Sequence, residues 1–479
     1  MRCSKRWPRK LAGAVGLMVV VLAGLPGCGP ETQRAAPAMT MEEACRPVRP
    51  KEDRAVARVR RALRQPIDVT FDATPLDEAL KVIGEKAGVA IIPDPDLAAS
   101  GVDLQGRWVT LAVEQVPADE ILDVVLNSED LGCVVRSDCL HVTTREAAQR
   151  DLVLVIYPVA DLFDPRDPQI EWPGWQDLVD IVKRNVNEIV NLHAASYYEG
   201  ESAAAIDYFG GALVVMQTPR AQHRILGLLT MLRQAKAHED SLEPVRIPEQ
   251  AGVKRIRRQL AETINVKFNN TPLAEALNVL RKSLKGVNVV VSPGLQSQGI
   301  DLQIRTVTLT WENAPIGEVL DRILGADLGY RICSHYILIG TRGILKQDLS
   351  TVVYPIQDLL LQLCLAGLGS ANGILEGALS NSQEGKPSDV RAPELFVTSA
   401  FAEDARMACQ GLANVIKCYA SNFADPNVAA WTDEGGPAAI DYFNGVLIVT
   451  QTPEGHEQVA RLLDMLREAW VRVERQLAE

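Results

Sequence analysis

Apolar positions along this chain alternate between helical and strand spacing. In VARVRRAL, Val56, Val59 and Leu63 share one side of a helix, while Arg58, Arg60, Arg61 and Arg64 fall elsewhere. A strand follows with Val69 and Phe71 on one side. Thr74 is placed to cap the next helix, with Pro75 in its first turn and Leu76, Ala79, Leu80 and Ile83 as its buried stripe. Gly88 ends it. VAIIP, VDLQ and WVTLAV read as strands, and Pro117 opens a helix with Ile121, Leu122 and Val125 inward. GCVVRSDCLHVTT turns back on itself near Ser137-Asp138. The predicted order is roughly β-α-β-β-α-β-β.

A second, smaller pattern starts at LVLVIYPVADL, a strand. WQDLVDIVKRNVNEIV follows as a helix, with Leu178, Ile181, Val182 and Val186 at helical spacing. AIDYFGGALVVMQTP is then a hairpin, because Gly210-Gly211 suits a two-residue turn that needs positive φ. Ile206, Tyr208, Leu213 and Val215 share one face of it. Thr218 caps a last helix, Pro219 fits its first turn, and Ile225, Leu229 and Leu232 point inward. The order is β-α-β-β-α.

Both patterns occur again. VARVRRAL at Val56 matches VKRIRRQL at Val253, 197 positions later, and IDVTFDATPLDEALKVI matches INVKFNNTPLAEALNVL at the same offset. The hairpin returns as AIDYFNGVLIVTQTP from Ala439, 234 positions after Ala205, with Asn444-Gly445 as its turn and Thr452-Pro453 opening its helix. The later copy therefore holds extra sequence between its YP strand and its hairpin, rich in Gly, Ser and Asn, which reads as a loop or lid. The expected fold class is α+β, a duplicated unit of a β-α-β-β-α-β-β domain and a smaller β-α-β-β-α domain. The divisions are 56–150 and 151–236 for the first copy, 237–252 as linker, and 253–347 and 348–470 for the second. The insert covers about 361–411, and 471–479 is a helical tail.

Composition and charge narrow the function. Net charge is −12 over 479 residues, which argues against a nucleic-acid partner, since phosphate needs a cationic face. MRCSKRWPRK followed by LAGAVGLMVVVLAGLPG has the form of an export signal, residues 1–27. Its end, LPGC, resembles the bacterial lipobox, which implies lipid modification of Cys28 and a tether over 28–55. Removing that leader takes away Arg2, Lys5, Arg6, Arg9 and Lys10, so −12 becomes −17. Gly29 rather than Asp after the lipid site points to the outer membrane. Beyond Cys3 and Cys28 there are seven cysteines, an odd number without zinc-ligand spacing, read as small buried residues. A bridge from Cys364 to either Cys409 or Cys418 stays open.

The TPL-EAL helix with its flanking strands, the DEILDVVL-type helix and the closing hairpin resemble the secretin and TonB N-terminus short domain, over Ile67–Thr144 and again Ile264–Thr341. The YP strand and the LVV-QTP ending resemble the small ring-building domains that follow it in secretins. The resemblance implies a periplasmic, non-enzymatic role in contacting envelope proteins. No secretin pore domain follows the second unit.

Candidate chemistry is sparse. Asp207 and Asp441 recur inside the repeated hairpin and are candidate partner-binding residues, as are Trp172, Trp175 and Trp431 in loops. The histidines do not recur: His223 aligns with Glu457, His456 with Gln222, and His141 with Leu338. No matched set of catalytic or metal-binding groups is visible, so no enzyme, metal or cofactor is expected. Arg54, Arg58, Arg60, Arg61 and Arg64 are candidates for touching anionic lipid headgroups close to the anchor. The expectation is a lipid-anchored adaptor on the periplasmic side that binds envelope proteins, with self-association open. The alternative is a sensor for a small molecule or glycan held by the insert. Hydrolysis through Asp389, Glu394 and Glu403 is a third reading.

Overall fold

Helix α1 (Arg54–Leu63) starts where the Asp53 carboxylate accepts the Ala55 N–H at 2.9 Å, and it buries Val59 and Leu63. It leads into β1 (Pro66–Pro75), α2 (Leu76–Ala87), β2 (Ala90–Pro93), the short α3 (Pro95–Ala99), β3 (Trp108–Pro117), α4 (Ala118–Asn127), β4 (Leu131–Arg136), β5 (Cys139–Thr144) and the short α5 (Arg145–Ala148). β1 and β3 form an antiparallel ribbon with two bulges, and β2-β5-β4 form a mixed sheet in which β2 runs parallel to β5. The chain is α+β. The computed structural model describes residues 45–163, 173–186, 205–238, 241–292, 295, 299–341, 349–360, 399–420, 428–434 and 436–478.

Two local expectations are corrected here. Thr74 does not cap α2: strand β1 continues through it, paired with Val109, and the helix begins at Leu76. The first helical N–H instead bonds across the ribbon, Leu76 N to Arg107 O at 2.8 Å, a task the strand carbonyl performs without any side chain. VDLQ is a turn and not a strand, because the Asp103 carboxylate accepts the Gln105 N–H at 2.9 Å. Gly88 does end α2, in the left-handed region at φ 66°.

The next elements are β6 (Val153–Pro158), α6 (Pro173–Asn185), β7 (Ala205–Phe209), β8 (Ala212–Gln217) and α7 (Pro219–Ala237). The sheet order is β6-β8-β7, all antiparallel. Ile206 lies opposite Val215 and Tyr208 opposite Leu213, so one face carries them into the core under α7, with Ile225, Leu229 and Leu232. Gly210 and Gly211 take φ 58° and 88°, the twist a two-residue hairpin turn needs. Thr218 caps α7 by accepting the Ala221 N–H at 3.2 Å.

The chain continues with β9 (Val245–Arg246), α8 (Ala251–Leu260), β10 (Thr263–Pro272), α9 (Leu273–Ser283), β11 (Asn288–Val291), β12 (Thr306–Pro315), α10 (Ile316–Leu324), β13 (Leu328–Ile332) and β14 (Tyr336–Thr341). β10 and β12 pair with bulges after Ile264 and Phe268, and β11-β14-β13 form a mixed sheet. β15 (Ser350–Pro355), α11 (Ser399–Tyr419), β16 (Ala439–Phe443), β17 (Val446–Gln451) and α12 (Pro453–Ala478) complete it, with sheet order β16-β17-β15-β9. Helix α11 takes up residues 399–411, which the sequence assigns to the insert. Residues 361–398 lie outside the described residues, as do the leader, Cys28, Trp172, Cys364, Asp389 and Glu394.

Candidate interaction surfaces

The two stretches of chain meet at two joints. In the first, the side-chain amide of Asn288 imitates a strand's peptide group. It accepts the Glu114 N–H at 3.0 Å and donates to the Glu114 C=O at 2.8 Å. Val290 and Tyr336 pack into the same apolar cluster as α2 and α4, and His335 Nδ1 lies 2.9 Å from Glu120 Oε1. Burial raises the carboxyl pKa of Asp119, Glu120 and Asp123 along α4, with the His335 ring opposing the rise at Glu120.

In the second joint, α6 lies across β15, β17 and β16. Asp441 receives Arg184 Nη2 on Oδ1 at 2.7 Å and Asn185 Nδ2 on Oδ2 at 2.7 Å. Burial pushes the Asp441 carboxyl up against the pull of Arg184 and Asn185. Burial also works against the Arg184 guanidinium, but Asp441 outweighs it and holds that pKa above its usual value. Thr450 Oγ1 donates to Asn185 Oδ1 at 2.9 Å, and Asn444 Nδ2 to the Leu162 C=O at 3.0 Å. Phe443 meets Phe163 edge to face, ring centres 6.0 Å apart. Val353, Val446 and Ile448 are buried in the core that α6 and α7 share.

The candidate residues named from the sequence divide accordingly. Asp441 sits in the second joint and is occupied there. Asp207, at the matching place in the first hairpin, is exposed, and its carboxylate accepts the neighbouring Tyr208 N–H at 2.8 Å. Trp175 is half-buried and stacks on Tyr208 at 5.5 Å, against the apolar core beneath β6-β8-β7. Trp431 is fully buried and donates its indole N–H to the Ala420 C=O at 2.9 Å; it fills a core and has no surface to offer a partner. Arg54, Arg58, Arg61 and Arg64 are exposed, while Arg60 pairs with Glu52. These side chains are not gathered into one site.

The sequence reading missed Arg184, Asn185, Asn288 and His335. A signal for the first three existed, and it lay in the differences between copies. At the hairpin's own offset of 234, Leu178, Val182 and Val186 match Leu412, Ile416 and Ala420, all buried, whereas Arg184 and Asn185 match Cys418 and Tyr419. Asn288 stands where the first copy has Ala90. At the joints, residues present in one copy alone, Arg184, Asn185 and Asn288, supply one side of each contact, and at the second joint they meet Asp441, which recurs as Asp207.

One open cleft of about 420 Å³ lies between α2 and β2, beside Leu80, Gly84 and Ile91. Among the described residues no group of three or more His, Cys, Asp or Glu is placed to hold a metal ion, and no helix is long and apolar enough to cross a membrane.

No protein-family profile matches the chain, and no curated protein does. Solved structures similar in part include the N-terminal domain of the secretin XcpQ from Pseudomonas aeruginosa, at 12% identity over 46% of this chain and 83% of that one, TM-score 0.13. The GspC-GspD complex of the type II secretion system of enterotoxigenic Escherichia coli is similar at 13% identity over 36% of this chain and 99% of that one, TM-score 0.13. Superpositions at these scores define neither a shared overall arrangement nor a function.

Proposed function

We propose that the chain is a lipid-anchored, periplasm-facing scaffold whose two-domain unit occurs twice and holds envelope proteins by packing. The observation that carries this reading is where the repeated residues go. Turn pairs, caps and most apolar stripes recur and serve folding, while Arg184, Asn185 and Asn288, which differ between copies, join surface to surface, the first two on the recurring Asp441. The recurring carboxylates Asp207 and Asp441 lie on an exposed hairpin face and in a joint, a placement that supports holding over catalysis.

Packing of helices on sheet faces is favoured over strand addition at β2. Asp94 gives its N–H to the Val142 C=O, so by alternation Ile91 and Pro93 turn theirs outward. Pro93 has no N–H to give, and a four-residue edge with proline resists pairing. Gentle crosslinking of the full chain in intact envelopes, followed by pull-down, is expected to recover specific partner proteins; recovery of this chain alone would contradict the reading. Labelling with a lipid precursor is expected to mark the parent protein and not Cys28→Ala.

A further inference from the structure

The joint between α6 and the second small sheet has an unfilled counterpart. The strand registers set five pairs of positions in correspondence. Val214 opposes Ile156 as Ile448 opposes Val353, and Asp207, Phe209 and Met216 stand where Asp441, Phe443 and Thr450 stand. In the second sheet helix α6 covers this face: Val353 and Ile448 are fully buried, and Phe443 is 6% exposed. In the first sheet the same face is open among the described residues. Phe209 is 81% exposed, Asp207 is exposed, and Ile156, Val214 and Met216 are only half-buried.

We propose that the outward face of β6-β8-β7 is a docking surface for an amphipathic helix of a partner protein, one that presents an arginine followed directly by an apolar residue. The proposal rests on the scaffold reading and names the surface and the partner's chemistry. Its template is the internal joint, where Arg184 meets Asp441 at 2.7 Å and the next residue, Asn185, meets both Asp441 and Thr450. The first sheet keeps the carboxylate, as Asp207, so the arginine is still called for. It has Met216 in place of Thr450 and Leu154 in place of Thr351, so an amide in the next position could still reach the carboxylate but its oxygen would lose its hydroxyl donor among apolar side chains, and an apolar side chain fits better. The chain's own α11 meets half of that requirement. It exposes Val415 and Tyr419, but Cys418 occupies the place of the arginine and would leave Asp207 without a cation. A second copy of this chain is therefore the poorer occupant.

The probe is a hydrocarbon-stapled peptide of residues 173–186 carrying Asn185→Leu, titrated against the full chain by fluorescence anisotropy. Saturable binding is expected, several-fold tighter than for the peptide with Asn185 retained. It should weaken at least tenfold with Arg184→Ala in the peptide or Asp207→Asn in the protein, and stay unchanged with Asp441→Asn. Loss with Asp441→Asn instead means that the peptide has displaced α6 from the second sheet, and overturns the proposal. So does an absence of saturable binding. Concentration-dependent self-association abolished by Tyr419→Asp would put a second copy on this face and likewise overturn it. If envelope crosslinking recovers the same partners from Phe209→Ser as from the parent, the scaffold reading stands and this surface falls.

Discussion

His456 shows how one residue can inherit a structural duty and add a chemical one. In the first small domain, Gln222 ties Tyr157 to two strands: Tyr157 donates to Gln222 Oε1 at 2.8 Å, and Gln222 Nε2 reaches the Val153 C=O. In the second, His456 Nε2 lies 2.8 Å from the Ser350 C=O and Nδ1 lies 3.0 Å from Tyr354 Oη. A carbonyl only accepts, so Nε2 carries the proton and Nδ1 accepts from the tyrosine. Burial lowers the His456 pKa to about 4 and raises that of Tyr354 to about 12. The folded state therefore binds this proton less readily than the unfolded state. The stability it contributes is present above the unfolded value and is lost as pH falls from about 6.5 toward about 4, by about 3 kcal/mol at most. His456→Gln, which installs the residue that the first domain already uses as Gln222, should keep the fold and flatten that slope. Denaturation of the two proteins across this range, taken as a difference, isolates the histidine from the α4 carboxylates, whose raised pKa values act in the opposite sense. At the second joint, Phe443→Ala should cost about 3 kcal/mol, whereas Phe209→Ala should stay within about 0.5 kcal/mol. The two rings come from the same repeated phrase and differ only in what covers them, which is why the sequence could not tell them apart.

At the scale of elements, local chemistry decided most boundaries. Gly88, the Gly210-Gly211 and Asn444-Gly445 turns, and the Thr218 cap were legible because positive φ and an uncapped helix start each demand particular residue types. Thr74 misled because a TP pair before a helix looks the same whether the threonine caps or remains in a strand. The deciding group is a carbonyl on Arg107, distant in sequence. The same arrangement opens α9 and α10, where Leu273 N bonds Arg305 O and Ile316 N bonds Glu262 O. Thr218→Ala should therefore cost about 1 kcal/mol in urea denaturation, and Thr74→Ala clearly less. Helix α11 was hidden by the Gly- and Ser-rich run before it, although Leu412, Ile416 and Ala420 carry the helical stripe of α6.

Across the whole molecule, the two joints run in the same direction. Elements of the earlier stretch, β3 and α6, present themselves to β11 and to the β15–β17 face of the later one. Neither joint could be read from periodicity, since Arg184, Asn288 and His335 gain meaning only through partners 174 or more residues away (Glu114 for Asn288, for example). Shared cores should make the two stretches melt together, and Phe443→Ala should separate the calorimetric transition into two. The β15–β17 face is covered while the corresponding face of β6-β8-β7 is bare among the described residues, the feature on which the proposed scaffold role depends. The most direct test places a photo-crosslinking benzoylphenylalanine at position 209 or at position 443 of the full chain in intact envelopes. The account predicts a discrete adduct with another protein from 209 and only an internal crosslink to the Phe163 or α6 segment from 443; no adduct from 209, or an intermolecular one from 443, would contradict it.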